Sequence, residues 1–223
     1  MTELAVLVPV LNRPQNVAPL VGSFLEDCPE NSRLIFIPDE KDWEERAAIS
    51  VYIEHAGQGI RDRIREYRFD PRPEKQGSWP RKINWGVTVG GYNWYLCAAD
   101  DIRFTPGWWE ATKELRNEPS IGVIGTNDSL DGTGNSRIAA GEHTCHPLIR
   151  ASYIHEQGTV DVRGDAVHPR YHHWYVDDEL IWTAKYRNAW AFCKDAVIEH
   201  LHPYWGKAEW DKTYTLGEIY AEE

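Results

Sequence analysis

The stretch LAVLVPV at residues 4–10 is a continuous apolar run. Alternation of polar and apolar residues would indicate a strand with one face in water, whereas an unbroken run is typical of a strand buried on both faces of a parallel sheet. Pro14 follows shortly after, and proline suits the first turn of a helix. We therefore predict a buried strand followed directly by a helix.

Strand and helix patterns alternate along the rest of the chain. Further apolar runs predict strands at 34–37, 92–98, 121–125 and 196–201, and a possible returning strand lies within 147–154. Helical patterns cover 17–25, 43–55, 82–87, 106–115 and 177–187. Residues 58–82 fit either a helix or a strand. The tail from Pro203 has no clear pattern, and we expect it to be mobile. This order predicts the α/β class, with a mostly parallel central sheet flanked by helices. Since no repeat or linker interrupts the chain, we expect residues 1–223 to form one domain.

Composition narrows the function classes. Apolar residues make up 42% and charged residues 26% of the chain, which excludes a disordered protein. No apolar run approaches the roughly 20 residues of a membrane span, and the N-terminus lacks a basic signal region, so we expect a cytoplasmic protein. The net charge of −11 argues against broad nucleic-acid binding.

The cysteines and the aromatic residues indicate the compartment and the function less directly than the overall composition does. The four cysteines are widely spaced without a CxxC pair, which resembles neither a zinc site nor a disulfide framework and indicates a reducing compartment. Eleven tryptophans and eleven tyrosines suit either a tryptophan-rich core or surfaces that stack on sugars. Both interpretations stay open.

Asp100 and Asp101 directly follow the predicted strand at 92–98. In open α/β sheets, ligands bind beyond the carboxyl ends of the strands, and two adjacent carboxylates there need a cation or an arginine to neutralise them. Oxygen ligands of this kind suit Mg²⁺ or Mn²⁺ beside a diphosphate. The alternative is a capped turn without a ligand.

Two further groups follow later in the chain. His200 and His202 end the last predicted strand on the same face, and an imidazole beside carboxylates favours Mn²⁺ over Mg²⁺; packing against Trp205 is the alternative. Asp177 and Asp178 open a predicted helix, where an acid is either a cap or a general base. The GxGxxG, GxxxxGK[ST] and GxSxG motifs are all missing, which lowers support for dinucleotide, P-loop and serine-hydrolase functions.

Four short motifs, in this order, resemble the GT-A type glycosyltransferases related to the large inverting family 2. They are VPVLNR at 8–13, LIFIPD at 34–39, LCAADDIRF at 96–104, and VDDEL at 176–180 followed by IEHLHP at 198–203. The third motif reads Ala-Asp-Asp instead of the family's Asp-x-Asp, and the glycine-rich acceptor loop has no clear match beyond the turn at 131–135.

The resemblance implies a role for each matched residue. It implies metal ligation by Asp101 and a C-terminal histidine, with His200 favoured over His202. It implies nucleotide or diphosphate contacts for a set that comprises Pro9, Arg13, Asp39, Lys82 and Asp100. It also implies a catalytic base at Asp177, with Asp178 as the alternative.

The function that follows is a metal-dependent, inverting transfer of a sugar from a nucleotide-diphospho-sugar to a hydroxyl acceptor. Residues 1–101 would bind the nucleotide sugar and residues 102–223 the acceptor. A protein or glycan acceptor is favoured over duplex DNA because the chain is acidic. A nucleic-acid acceptor stays an alternative, since some viral glycosyltransferases decorate bases. If the protein is viral, we expect it in the host cytoplasm. The alternatives are a sugar-phosphate nucleotidyltransferase and a non-catalytic carbohydrate-binding protein. The oligomeric state is left undecided.

Overall fold

Strand β1 (Leu4–Pro9) is buried along its whole length near the middle of an eight-stranded sheet. The computed structural model describes residues 3–69, 78–129 and 134–221. Helix α1 (Pro14–Asp27) starts with Pro14 in its first turn, and strand β2 (Ser32–Ile37) returns parallel to β1. The predicted strand–helix–strand start is confirmed.

The next elements complete a parallel half of the sheet. Helix α2 (Trp43–Ser50) is capped by the Asp42 side chain, which accepts from Glu45 N–H, and it continues as a π-helical turn. The remaining elements are α3 (Gln58–Arg63), β3 (Ile64–Glu66), α4 (Trp79–Val89) and β4 (Trp94–Cys97). The ambiguous stretch thus contains both a helix and a strand, in succession, while its residues 70–77 lie outside the described ranges.

The second half mixes strand directions. Its strands are β5 (Ile102–Phe104), β6 (Val123–Asn127), β7 (Leu148–Arg150) and β8 (Trp190–His200). Its helices are α5 (Trp108–Ala111), α6 (Lys113–Asn117), α7 (Ser136–Ala139), α8 (Ala151–Glu156), α9 (Val176–Tyr186) and α10 (Lys212–Ala221). The strand order is β3-β2-β1-β4-β7-β6-β8-β5, in which β7 and β5 run antiparallel to their neighbours.

Several predicted boundaries differ from the structure. The possible strand within 147–154 ends at Arg150 and continues as α8, and the helix at 106–115 is divided at Thr112, whose hydroxyl donates to the Trp109 carbonyl. The tail expected to be mobile instead forms a 3₁₀ turn (Pro203–Trp205) and α10. Part of the turn at 131–135 lies outside the described residues.

The core has two layers, one on each face of the sheet. Leu4, Val6 and Val8 of β1 face one layer, and Ala5 and Leu7 face the other, as the period of two in a strand requires. Some tryptophans, such as Trp108, are fully buried, while others, such as Trp182, are largely exposed. The tryptophan-rich core is thus confirmed for part of the aromatic residues, whereas stacking on sugars stays a prediction for the exposed ones. Among the described helices, none is long and apolar enough to cross a membrane.

Candidate active site

A cavity of about 530 Å³ opens beyond the carboxyl ends of β1 and β4, a size within the usual range for ligand pockets. It is walled by the loop after β1, the acid pair after β4, the start of α9 and the C-terminal segment. Of the predicted site residues, all but Asp39 line this cavity. The lining residues are Pro9, Arg13, Lys82, Asp100, Asp101, Asp177, Asp178, His200 and His202. The fold thus gathers residues that are far apart in sequence.

The acid pair is held by Arg13, which is only 4% exposed. Arg13 Nη1 donates to Asp100 Oδ1 at 3.1 Å and lies 3.8 Å from Asp101 Oδ2. Burial and the neighbouring Asp101 carboxylate raise the pKa of Asp100 to about 7. The two carboxylates therefore compete for positive charge, as the sequence predicted for adjacent acids.

Asp101 faces the histidines. Its Oδ1 lies 3.5 Å from His200 Nε2, and its Oδ2 accepts from the Tyr214 hydroxyl at 2.7 Å. Burial raises the pKa of Asp101, but His200 and Tyr214 outweigh this effect and hold that pKa well below its usual range. The His202 ring packs 5.1 Å from that of His200, and His202 Nδ1 accepts from the Tyr204 N–H. Of the two histidines, His200 is thus the one that pairs with Asp101.

Lys82 and Asp39 form a second, enclosed pair. Lys82 Nζ lies 2.9 Å from Asp39 Oδ1 and donates to the Val10 carbonyl at 2.7 Å, with both side chains 1% exposed. Asp39 therefore lies behind the cavity wall rather than on its surface. In this arrangement the pair supports the loop after β1.

The acids at the start of α9 are each paired with a cation. Asp177 Oδ2 is 3.1 Å from His143 Nε2, and Asp178 Oδ1 accepts from Arg137 Nη2 at 2.5 Å. Burial raises the pKa of Asp177, but the hydrogen bond with His143 outweighs it and lowers that pKa below its usual value. Asp177 is therefore ionised and accessible from the cavity at neutral pH.

Asp101 and His200 offer one oxygen and one nitrogen ligand to a divalent cation. The ligand atoms that face each other are Asp101 Oδ1 and His200 Nε2, whereas the His200 nitrogen without a hydrogen-bond partner among the described residues is Nδ1. Metal–ligand bonds of about 2.1 Å place two ligands of one ion roughly 3.0–3.6 Å apart, which matches the 3.5 Å between Asp101 Oδ1 and His200 Nε2.

Sequence reasoning missed the contribution of the C-terminal segment. Arg13 donates to both Asp211 oxygens, at 2.8 and 3.0 Å, and its guanidinium stacks 3.6 Å from the centre of the Tyr214 ring. Thr213 adds a hydroxyl bond to the Leu11 carbonyl at 2.9 Å. The segment lacks an apolar periodicity that could have revealed this docking, since its contacts with the loop after β1 are mainly polar.

Sequence reasoning also missed Arg137 and the sequence HTCH at 143–146. His143, Cys145 and His146 all line the cavity. Two histidines and a cysteine within four residues were a detectable signal, but one that a search for CxxC pairs overlooks. Among the exposed or half-buried aromatic residues, Trp174, Tyr175 and Trp205 line the cavity, and Trp182 does not.

Comparison with known proteins finds structures of similar fold but no protein of similar sequence. No protein-family model matches the chain, and no curated protein matches it. The mannosyltransferase PcManGT from Pyrobaculum calidifontis, solved with GDP-Man and Mn²⁺, is similar in structure at a TM-score of 0.67 and 12% identity, over 98% of this chain and 60% of that one.

The protein TarS from S. aureus is a second structural neighbour. Its residues 1–349, solved with UDP-GlcNAc, match at a TM-score of 0.63 and 12% identity, over 98% of this chain and 65% of that one. The chain thus spans about 60% of the length of these neighbours. Strand order, the cavity at the strand ends and these likenesses agree, and the chain has the GT-A fold.

Proposed function

We propose that the protein is a metal-dependent, inverting glycosyltransferase that moves a sugar from a nucleotide-diphospho-sugar to a hydroxyl acceptor. The observation that carries the proposal is the buried Asp101–His200 pair, whose Oδ1 and Nε2 atoms lie 3.5 Å apart and whose residues both line a cavity of about 530 Å³ at the strand ends. The structural neighbours, solved with GDP-Man and Mn²⁺ or with UDP-GlcNAc, support this class of donor. Residues 1–101 would supply most of the donor contacts, and residues 102–223 most of the acceptor contacts.

Asp101 and His200 would hold the cation, with His202 as the alternative imidazole. A nitrogen ligand beside a carboxylate favours Mn²⁺ over Mg²⁺. When bound, the cation supplies positive charge that stabilises the departing diphosphate. Arg13 already adds positive charge beside the acid pair, and it positions the loop after β1 through the backbone bond from Arg13 N–H to Glu45 Oε2 at 2.8 Å.

Asp177 is the residue best placed to accept the acceptor's proton. It lines the cavity, and its bond with His143 keeps it ionised. An inverting transfer needs a carboxylate on the face of the sugar opposite the departing group, within hydrogen-bond reach of the acceptor hydroxyl. Asp178 is the less suitable base because its Oδ1 is bound by Arg137.

The acceptor is proposed to be a protein or a glycan. Trp174 and Tyr175 line the cavity beside Asp177 and offer rings on which a sugar can stack. Duplex DNA would require several cations matched to phosphates, whereas the chain carries a net charge of −11. Steep salt-sensitive duplex binding in a mobility-shift assay would contradict this part of the proposal.

A thermal-shift screen of nucleotide sugars with Mn²⁺, followed by donor hydrolysis of each hit, tests the function. Binding to the folded state raises stability by about 2.7 kcal/mol at a hundredfold excess over the dissociation constant, which is easily measured. We expect stabilisation and hydrolysis that both disappear in EDTA. Glycan binding without any nucleotide response would instead indicate a carbohydrate-binding protein.

A further inference from the structure

The segment between α7 and β7 carries a cluster that the proposed reaction uses only in part. Its sequence HTCH places His143 and Cys145 on either side of Thr144. Thr144 is fully buried and clamped to β6, because its Oγ1 accepts from Thr126 N–H at 3.1 Å and donates to the Thr126 carbonyl at 3.0 Å. This clamp fixes the backbone that carries His143 and Cys145.

Asp177 approaches the same two side chains from the start of α9. One potential ligand atom each from His143, Cys145 and Asp177 lies within 4.8 Å of the other two. His143 is 3% exposed; its Nε2 lies 3.1 Å from Asp177 Oδ2, and its Nδ1 lies 3.7 Å from Asp178 Oδ1. Three ligand types that metals prefer thus converge from two elements at the wall of the cavity.

The chemistry of this set favours a softer ion than Mn²⁺. Thiolate and imidazole ligands select zinc, whereas Mg²⁺ and Mn²⁺ prefer oxygen. Zinc bonds of about 2.0–2.3 Å place neighbouring ligands of a tetrahedral ion roughly 3.3–3.7 Å apart. His143 Nε2 and Asp177 Oδ2 are already 3.1 Å apart, and Cys145 Sγ would complete the set from within 4.8 Å of both.

We propose that His143, Cys145 and Asp177 form a zinc-binding site, separate from the Asp101–His200 position. Cys145 also lies within 4.8 Å of ligand atoms of Asp128 and His200, which makes that set the main competitor. The set of His143, Cys145 and Asp177 is preferred, because His200 of the competing set already faces Asp101 at 3.5 Å. Three protein ligands leave a fourth position open to water.

The site has a consequence for catalysis that rests on the proposed function. Zinc on Asp177 occupies the oxygen that would accept the acceptor's proton. We therefore expect zinc to inhibit transfer even when Mn²⁺ is saturating. The binding site itself does not depend on this consequence, because it is tested by metal alone.

Cobalt serves as the probe, because Co²⁺ bound to a thiolate gives a charge-transfer band in the near ultraviolet. Titration of the EDTA-treated protein is expected to give this band with one equivalent of Co²⁺, and Zn²⁺ is expected to remove it by displacement. Cys145→Ser should abolish the band, while the control Cys193→Ser, at a buried cysteine whose thiol donates to the Ala111 carbonyl, should keep it. A band that survives Cys145→Ser would overturn the proposal.

Two further variants separate the competing sets. His143→Asn is expected to weaken Co²⁺ binding tenfold or more, and Asp128→Asn is expected to leave it within about twofold. The opposite order would place the ion on Asp128, Cys145 and His200 and so refute the assignment. Nucleotide binding in Mn²⁺, measured in parallel, reports on the proposed function independently.

A measurement on the unmodified protein covers the case in which a variant fails to fold. Cys145 is partly exposed, so iodoacetamide should alkylate it in the apoprotein, as detected by mass spectrometry. Zn²⁺ is expected to slow this alkylation at least tenfold, whereas Mn²⁺ at the same concentration should not. Equal alkylation with and without Zn²⁺ would contradict the site.

Discussion

Two groups of charged pairs, one in each half of the sheet, differ in how fully the protein encloses them. In the parallel half, Lys82 bonds to both Asp39 and the Val10 carbonyl, and both side chains are 1% exposed. In the other half, the Asp177 side chain paired with His143 is 28% exposed, and the His200 side chain paired with Asp101 is 14% exposed. The first group is therefore built for structure, whereas the second opens to the cavity, where a ligand can reach it.

The difference leads to opposite expectations for substitutions. Removing a member of the enclosed pair should cost stability, because the partner charge is left buried. Removing a member of the open group should cost ligand binding or turnover and leave the fold intact. The following predictions test this division, from the largest expected effect to the smallest.

Asp177→Asn should reduce turnover by roughly 10²–10⁴-fold, the usual worth of a positioned base, because the amide keeps the shape and loses the basicity. Donor affinity and the melting temperature should change little. Steady-state kinetics with the acceptor measure the effect. Asp178→Asn is the matched control and should cost far less; the reverse order of the two variants would assign the base to Asp178.

Lys82→Met should destabilise the protein by about 3–5 kcal/mol, because it leaves the Asp39 carboxylate buried without its ammonium partner. Urea unfolding measures the loss. The double variant Lys82→Met with Asp39→Asn removes both charges and should recover a large part of it. A loss below about 1 kcal/mol in the single variant would show that the pair is not enclosed.

Glu45 is an exception within the parallel half, and it predicts a pH effect. Burial raises the pKa of Glu45 to about 7, above the 4.5 of an exposed glutamate. The folded state therefore binds the proton more tightly, and the stability linked to it is present below pH 4.5 and lost as the pH rises through about 7. Glu45→Gln should thus gain stability relative to the native protein with rising pH, by about 3 kcal/mol at pH 8 compared with pH values below 4.5.

Urea unfolding of both proteins between pH 5 and 8 checks this expectation. A constant difference for Glu45→Gln would mean that Glu45 does not hold a proton in the folded state.

The smallest expected effect concerns two exposed aromatic residues near the start of α9. Tyr175 lines the cavity and Trp182 does not, although they are 58% and 65% exposed. Tyr175→Ala should raise the acceptor KM about two- to tenfold, as expected from the loss of one aromatic contact. Trp182→Ala should leave this KM unchanged, and an equal rise in both would move the acceptor site along α9.

The parallel half could be predicted from sequence because its signals are local. An unbroken apolar run such as residues 4–10 has few alternatives to a strand buried on both faces, and the proline that follows marks the helix start. The acids at 100–101 were found because the end of such a strand is a known place for ligands.

The other half depends on contacts between distant segments. Tyr214 binds Asp101 across more than a hundred residues, and His143 reaches Asp177 from a loop without a regular pattern. Neither of these contacts produces a periodic pattern in the sequence from which it could be predicted. The enclosed position of Asp39 was also missed, since sequence locates it after β2 but does not show that Lys82 covers it.

Calorimetric titration of a nucleoside diphosphate into the EDTA-treated protein, with and without Mn²⁺, tests the central claim most directly. We expect binding with Mn²⁺, a loss of affinity of tenfold or more without it, and the same loss in Asp101→Asn even when Mn²⁺ is present. Asp195→Asn, an exposed acid on β8, should bind like the native protein. Equal affinity in EDTA and Mn²⁺, or full affinity in Asp101→Asn, would contradict a metal-dependent nucleotide-sugar site.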